Sequence, residues 1–318
     1  MTPALLTFVA SLALLLVAAR VFTGAAERIG LALGMSPFVV GVFIVAIGTS
    51  LPELVASLLA VQAGTSEIVS GNVLGANASN LLMLLGVVSV VAPGRIALGE
   101  QYLFIDLNFL LGATLLLATA MVDGAVSAVE GLLLLAGYAI YVIYLIREGR
   151  SATADAEQAQ AIDAPSRRLA VDTLLLVGAG IAIYFGGDLT VDALGGIATA
   201  LAIPPAIAAV TILSIGTTLP ELAVSATAAR RGQGALAVGN ILGSCIFNAL
   251  AVAGAAAVAG GGNGVIVPAS LLGFALPFVA AATLLFYLLT QDKLVSKWEG
   301  LLFLVLFAVF VLKIAGLA

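Results

Sequence analysis

The chain has 318 residues, 62% of them hydrophobic and 9% charged, with a formal net charge of −5. Soluble domains carry roughly 25% charged residues, and so few could not cover a water-facing surface; a mean hydropathy of +1.23 makes lipid the main solvent. The chain has no histidine, and Cys245 is its one cysteine. That excludes His-based catalysis, an intrachain disulfide and His or Cys zinc sites, and no basic run suggests nucleic acid.

A spanning helix needs about 20 apolar residues, and charges, glycine clusters and prolines mark its ends. Ala4 to Ala19 lacks the basic leader of a signal peptide and is long for its apolar stretch, so we read it as the first membrane helix. The first half is expected to hold five helices, at 3–22, 36–62, 66–92, 102–122 and 126–146. The polar stretch from Arg147 to Arg168 reads as a loop between the halves, giving units 1–146, 147–168 and 169–318. Five more helices are expected at 169–187, 202–229, 233–259, 265–290 and 298–316, with a turn at Gly260 to Gly264. The expected fold class is an all-α polytopic membrane protein of ten transmembrane helices.

Charge distribution checks that count, because Lys and Arg collect in cytoplasmic loops. With the N-terminus outside, the inside loops hold Arg20, Arg28, Arg95, Arg147, Arg150, Arg167, Arg168, Arg230, Arg231, Lys293 and Lys297. Only Lys313 falls outside. Both termini are then expected outside.

Within these helices one pattern occurs twice. Ile47-Gly48-Thr49-Ser50-Leu51-Pro52-Glu53-Leu54 matches Ile215-Gly216-Thr217-Thr218-Leu219-Pro220-Glu221-Leu222. Gly71-Asn72-Val73-Leu74-Gly75-Ala76-Asn77-Ala78-Ser79-Asn80 matches Gly239-Asn240-Ile241-Leu242-Gly243-Ser244-Cys245-Ile246-Phe247-Asn248. Each pair is offset by 168 residues, from 53 to 221 and from 80 to 248, the mark of a duplicated unit. Five helices per unit is odd, so the two repeats enter the membrane from opposite sides. Inverted repeats of this kind put their substrate site near the midplane, at broken helices.

Glu53 and Glu221 are the centre of the chemistry. A carboxylate near the bilayer centre costs at least ~2.5 kcal/mol on insertion scales, and such acids are functional by default. No basic residue shares the helix of either, so they bind a cation or stay protonated. Pro52 and Pro220 each lack an N–H and clash with the carbonyl four residues back, and are expected to kink their helices and free the carbonyls of Gly48 and Gly216. Thr49 and Ser50 share the face of Glu53, and Ser57 and Ser225 extend that face. Asn72, Ala76 and Asn80 recur at spacing four, as do Asn240, Ser244 and Asn248. An all-oxygen donor set selects calcium, magnesium or sodium over zinc or copper.

Plainer roles compete for several of these residues. Gly71, Gly75, Gly239 and Gly243 are small-xxx-small pairs that allow close helix packing. Asn72, Asn77 and Asn240 fit interhelical hydrogen bonding as well as a site. Ser57 and Ser225 are expected to bond backbone, and Cys245 to pack. Asp106 and Asp172 read as interfacial, and Asp188 and Asp192 as solvated charges in an outside loop.

The doubled motifs resemble the alpha repeats of the sodium/calcium exchanger family, within the cation/calcium antiporters. The motifs span about four helices; the ten-helix layout spans the chain. The resemblance implies that Glu53, Glu221 and the carbonyls of Thr49 and Thr217 hold calcium. Ser50, Thr218 and Ser244, with the carbonyls of Ala46 and Ser214, would help bind sodium, and Asn80 and Asn248 would line the centre. It implies no cofactor, only transported calcium and sodium, in a prokaryotic plasma (inner) membrane protein that works as a monomer. Ala76 departs from the family's serine, which weakens one sodium site and keeps proton-coupled or potassium-dependent exchange open. The wording of the motifs argues against the proton/calcium branch.

The expected function is therefore calcium/sodium antiport by alternating access. A passive cation channel would use the same buried acids, but broken, doubled helices favour a carrier. An intramembrane enzyme lacks a histidine, a reactive cysteine setting and an aspartate dyad.

Overall fold

The structure is a computed structural model that describes residues 2–33, 35, 39–98, 107–154, 166–200 and 218–316. In chain order its helices are α1 (Thr2–Ala32), α2 (Val40–Gln62), α3 (Glu67–Val91), α4 (Leu107–Met121) and α5 (Ala128–Ala154). They continue as α6 (Ser166–Ala200), α7 (Leu219–Arg230), α8 (Gly234–Ala259), α9 (Leu271–Leu289) and α10 (Lys297–Ile314). Seven helices among the described residues are long and apolar enough to cross a membrane, those of α1, α2, α3, α5, α6, α8 and α9; α4 is apolar but shorter.

Several helices overrun their expected ends. Helix α1 continues past residue 22 to Ala32, and α5 past 146 to Ala154. Helix α6 starts at Ser166 and carries on past 187 to Ala200, so Asp188 and Asp192 lie on a helix, not in a loop. The overruns of α1 and α5 carry Ala, Arg and Glu, which are good helix formers, and there charge ends the lipid-compatible stretch without ending the helix, because long basic side chains can reach toward water. The overrun of α6 runs through Gly195 and Gly196 and is held by packing against α1. Residues 155–165 of the expected loop lie outside the described residues, as do Asp106 and the stretch 201–217.

Burial separates the helices into a centre and a lipid-facing ring. In α3 and α8, 83% and 89% of the apolar window is buried, against 22% in α5 and α6. These two helices carry the second motif of each copy, so the motif residues sit at the middle of the molecule. The apolar residues of α5 and α6 that face outward, such as Leu133, Ile140, Leu174 and Ile181, are exposed, as lipid-facing residues must be.

Features of the first half recur in the second at an offset of 168 or 169 residues. The π-helical turns Ser79–Leu84 in α3 and Phe247–Val252 in α8 are 168 apart. Two short strands, β1 (Ile96–Ala97) and β2 (Ala125–Val126), reappear as β3 (Val265–Ile266) and β4 (Leu294–Val295). They pair crosswise and antiparallel, β1 with β4 and β2 with β3. The Leu98 amide donates to the Lys293 carbonyl at 2.8 Å, and the Val267 amide to that of Gly124 at 2.8 Å. Gly124 and Lys293 both adopt positive φ, 96° and 62°. Helices α5 and α10 each open on a Ser-x-x-Glu capping box, Ser127 with Glu130 and Ser296 with Glu299, which satisfies first-turn amides reciprocally. The Thr114 and Thr283 hydroxyls, 169 residues apart in sequence, meet at 3.4 Å.

Candidate cation site

Two prolines with the same sequence context have different settings. Pro52 lies inside the helix Ala46–Gln62 of α2. Pro220 occupies the first turn of α7, after Thr218 at φ −99°, ψ 5°. A proline is tolerated in a first turn because no amide is needed there. The expected matched kinks therefore do not both appear among the described residues; the irregularity of α2 lies upstream, in the π-helical turn Val40–Val45. A π-helical turn of this kind often marks a functional site.

Glu53 and Glu221 are 3% and 1% exposed. The Ser50 hydroxyl donates to Glu221 Oε1 at 3.0 Å and meets the Ser244 hydroxyl at 2.9 Å. The Thr49 hydroxyl lies 3.3 Å from Asn240 Oδ1 and 3.4 Å from the Ala46 carbonyl, so its one proton is shared between them. Thus α2 of the first copy is joined to α7 and α8 of the second through the motif residues themselves. Thr218 is buried beside them. Ser214 and Thr217 lie outside the described residues.

Asn80 and Asn248 stand in the two π-helical turns and are each 1% exposed. The turn holding Asn248 packs on α2, and the turn holding Asn80 packs on α7 and α8. Both oxygens of Glu53, Oε2 of Glu221 and the amide groups of Asn80 and Asn248 have no hydrogen-bond partner among the described residues. An unpaired buried carboxylate is costly, and here both unpaired acids and two of the unpaired amides fall on predicted site residues; Asn77 Oδ1 and Gln233 Oε1 are unpaired elsewhere among the described residues. The oxygens of Glu53, Glu221, Asn80 and Asn248 suit a hard cation: calcium takes 6–8 or so oxygen ligands from carboxylates, carbonyls and water.

Around this centre the asparagines of the second motif act as ties. Asn72 Nδ2 donates to Ser57 Oγ at 3.2 Å, and Asn240 Nδ2 to Ser225 Oγ at 2.8 Å. The expected backbone role of Ser57 and Ser225 is thus replaced by an acceptor role that locks neighbouring helices. Asn77 Nδ2 donates to the Cys245 carbonyl at 3.2 Å, linking equivalent positions of the two copies. These cross-helix partners have no sequence signal, because they depend on packing alone. The small-residue expectation holds for Gly243, where an added Cβ would collide with the Val42 carbonyl and Ala46.

A cavity of about 720 Å³ runs between α1, α2 and α6, and Thr49, Glu53, Asn72 and Pro220 line it beside Phe22, Ile183 and Asp188. Most of its remaining wall is apolar, including Leu51, Val55 and Leu59 of α2. Asp172, expected at an interface, is buried and accepts from Arg28 Nε of α1 at 2.7 Å. That ion pair joins α1 to α6, which pack along their length.

The family's sequence model, described as sodium/calcium exchanger protein, matches residues 3–147 and again 171–315. The chain belongs to the sodium/calcium exchanger family. The family's two matches start 168 residues apart, the same offset as the motifs. The chain is 30% identical over 304 residues to a putative antiporter CaxA of Alkalimonas amylolytica, covering 93% of each. It is 27% identical to the sodium/calcium exchanger MaX1 of Methanosarcina acetivorans, over 91% of this chain and 92% of the other. Its fold is similar to the solved sodium-calcium exchanger NCX_Mj, with a TM-score of 0.82, 28% identity and 97% of each chain covered. Membership of an exchanger family with these apolar helices makes this an integral membrane protein.

Proposed function

We propose that this family member exchanges calcium for sodium across the plasma (inner) membrane by alternating access. The observation that carries the reading is the cluster of unpartnered, buried oxygens on Glu53, Glu221, Asn80 and Asn248. Calcium is held by Glu53 and Glu221 with the carbonyls of Thr49 and Thr217. Sodium uses Ser50, Thr218 and Ser244 with the carbonyls of Ala46 and Ser214, while Asn80 and Asn248 line the centre. Both ions need the same carboxylates, so loading is exclusive, and either load neutralises charge that would oppose the conformational switch.

The architecture we propose is ten transmembrane helices in two inverted repeats, 1–146 and 169–318, joined by 147–168, with both termini outside and a functional monomer. The crosswise pairing of β1 with β4 and β2 with β3 supports this symmetry. In that frame Asp188 marks the outer end of the cavity, and the ion reaches Glu53 from outside. Helices α1 and α6 then slide as one unit over α2 and α7 to close that path and open another.

Calcium uptake into reconstituted vesicles under imposed sodium, potassium and proton gradients tests the reading. Uptake should require sodium inside. Uptake that follows a pH gradient and ignores sodium overturns it.

A further inference from the structure

The cavity beside Glu53 carries a second acid that the cation site does not use. Its walls run from Ile44 to Leu59 along α2 and from Leu176 to Asp188 along α6. Glu53 and Asp188 are the carboxylates among its described lining residues, and no Lys or Arg lines it. The two acids have opposite settings. Glu53 is 3% exposed, and both its oxygens lack a partner among the described residues. Asp188 is exposed and makes no ion pair among the described residues. It stands just past Leu169–Gly186, the stretch of α6 apolar enough to cross a membrane.

Charge of one sign between apolar walls has a known consequence. Low-dielectric walls focus the field, and clefts of this kind raise the on-rates of oppositely charged ligands by roughly 10-fold or more. A divalent ion about 8 Å from one carboxylate in water is favoured about fivefold by Coulomb attraction alone. Asp192, one turn further along α6, is also exposed but does not line the cavity.

We propose that Asp188 is a capture residue, which draws calcium from the outer medium into the cavity ahead of its transfer to Glu53. It acts by charge at the mouth and takes no part in holding the bound ion. This inference deepens the calcium/sodium reading above and rests on the orientation given there.

Sodium-driven calcium uptake into sealed right-side-out and everted membrane vesicles tests it, with saturating sodium inside and choline chloride setting the ionic strength outside. In right-side-out vesicles at about 10 mM salt, Asp188→Asn should lower kcat/KM for calcium about fivefold, with the loss in KM. Asp188→Lys removes two units of charge and should lower it about 25-fold. Asp188→Glu should keep the wild-type value. At about 1 M salt, where charges are screened beyond about 3 Å, the losses should shrink below about twofold. Everted vesicles present calcium to the other face and should show no loss in either variant. An unchanged kcat/KM in Asp188→Asn, a loss that persists at high salt, or the same loss in everted vesicles overturns the capture role and leaves the exchange reading standing. An equal loss in Asp192→Asn also overturns it, because overall surface charge would then be the cause. Absence of sodium-driven uptake by the wild type overturns the exchange reading itself.

Discussion

At the scale of single residues, buried charge and buried hydroxyls do different work. Glu53 and Glu221 supply charge, and the unpartnered oxygens of both are free to meet an ion. Replacing either with Gln keeps the volume but removes an ionic ligand worth about 3 kcal/mol, so calcium affinity measured by titration should fall about 100-fold or more. Ser50 is a smaller contributor, because its hydroxyl touches Glu221 and Ser244 at 3.0 Å and 2.9 Å. Ser50→Ala should raise the sodium concentration needed to displace half the bound calcium about tenfold, the equivalent of one hydrogen bond. The acids were legible in the sequence because an acid in an apolar helix has few other reasons to exist. The ties from Asn72 to Ser57 and from Asn240 to Ser225 were not, since nothing in their spacing names the partner.

At the scale of elements, helix positions followed from apolar runs, but helix ends did not. The lipid-crossing part of α6 was visible as hydropathy, while its continuation to Ala200, through Gly195 and Gly196, depends on packing along α1. The strands β1 to β4 were invisible, because two residues make no periodic pattern. Their turns show a testable asymmetry: Gly124 at φ 96° and Lys293 at φ 62° share one role. An L-residue in that region costs roughly 1–2 kcal/mol. Gly124→Ala should therefore lower stability by about 1 kcal/mol, read as a drop in melting temperature in detergent. Gly243→Val tests the contact between α8 and α2. A side chain there collides with the Val42 carbonyl, and overpacking of this kind typically costs about 1–3 kcal/mol.

For the whole molecule, the proposed motion divides the helices into a sliding pair and a fixed remainder. Leu15 of α1 abuts Gly186 of α6, and Phe22 of α1 abuts Gly48 of α2. In a Cys245→Ala background, Leu15→Cys with Gly186→Cys, joined by a short bis-methanethiosulfonate that releases methanesulfinate at each thiol, should leave exchange running, because both partners move together. Cysteines at 22 and 48 joined in the same way should stop exchange, because they tie the sliding pair to the ion-binding helix. The most direct test of the central claim is equilibrium binding of radioactive calcium to the purified protein while sodium is titrated in. A single centre built on Glu53 and Glu221 predicts complete displacement of calcium by sodium in the wild type and calcium binding weakened about 100-fold or more in Glu53→Gln. Calcium retained at saturating sodium, or bound normally by Glu53→Gln, would contradict it.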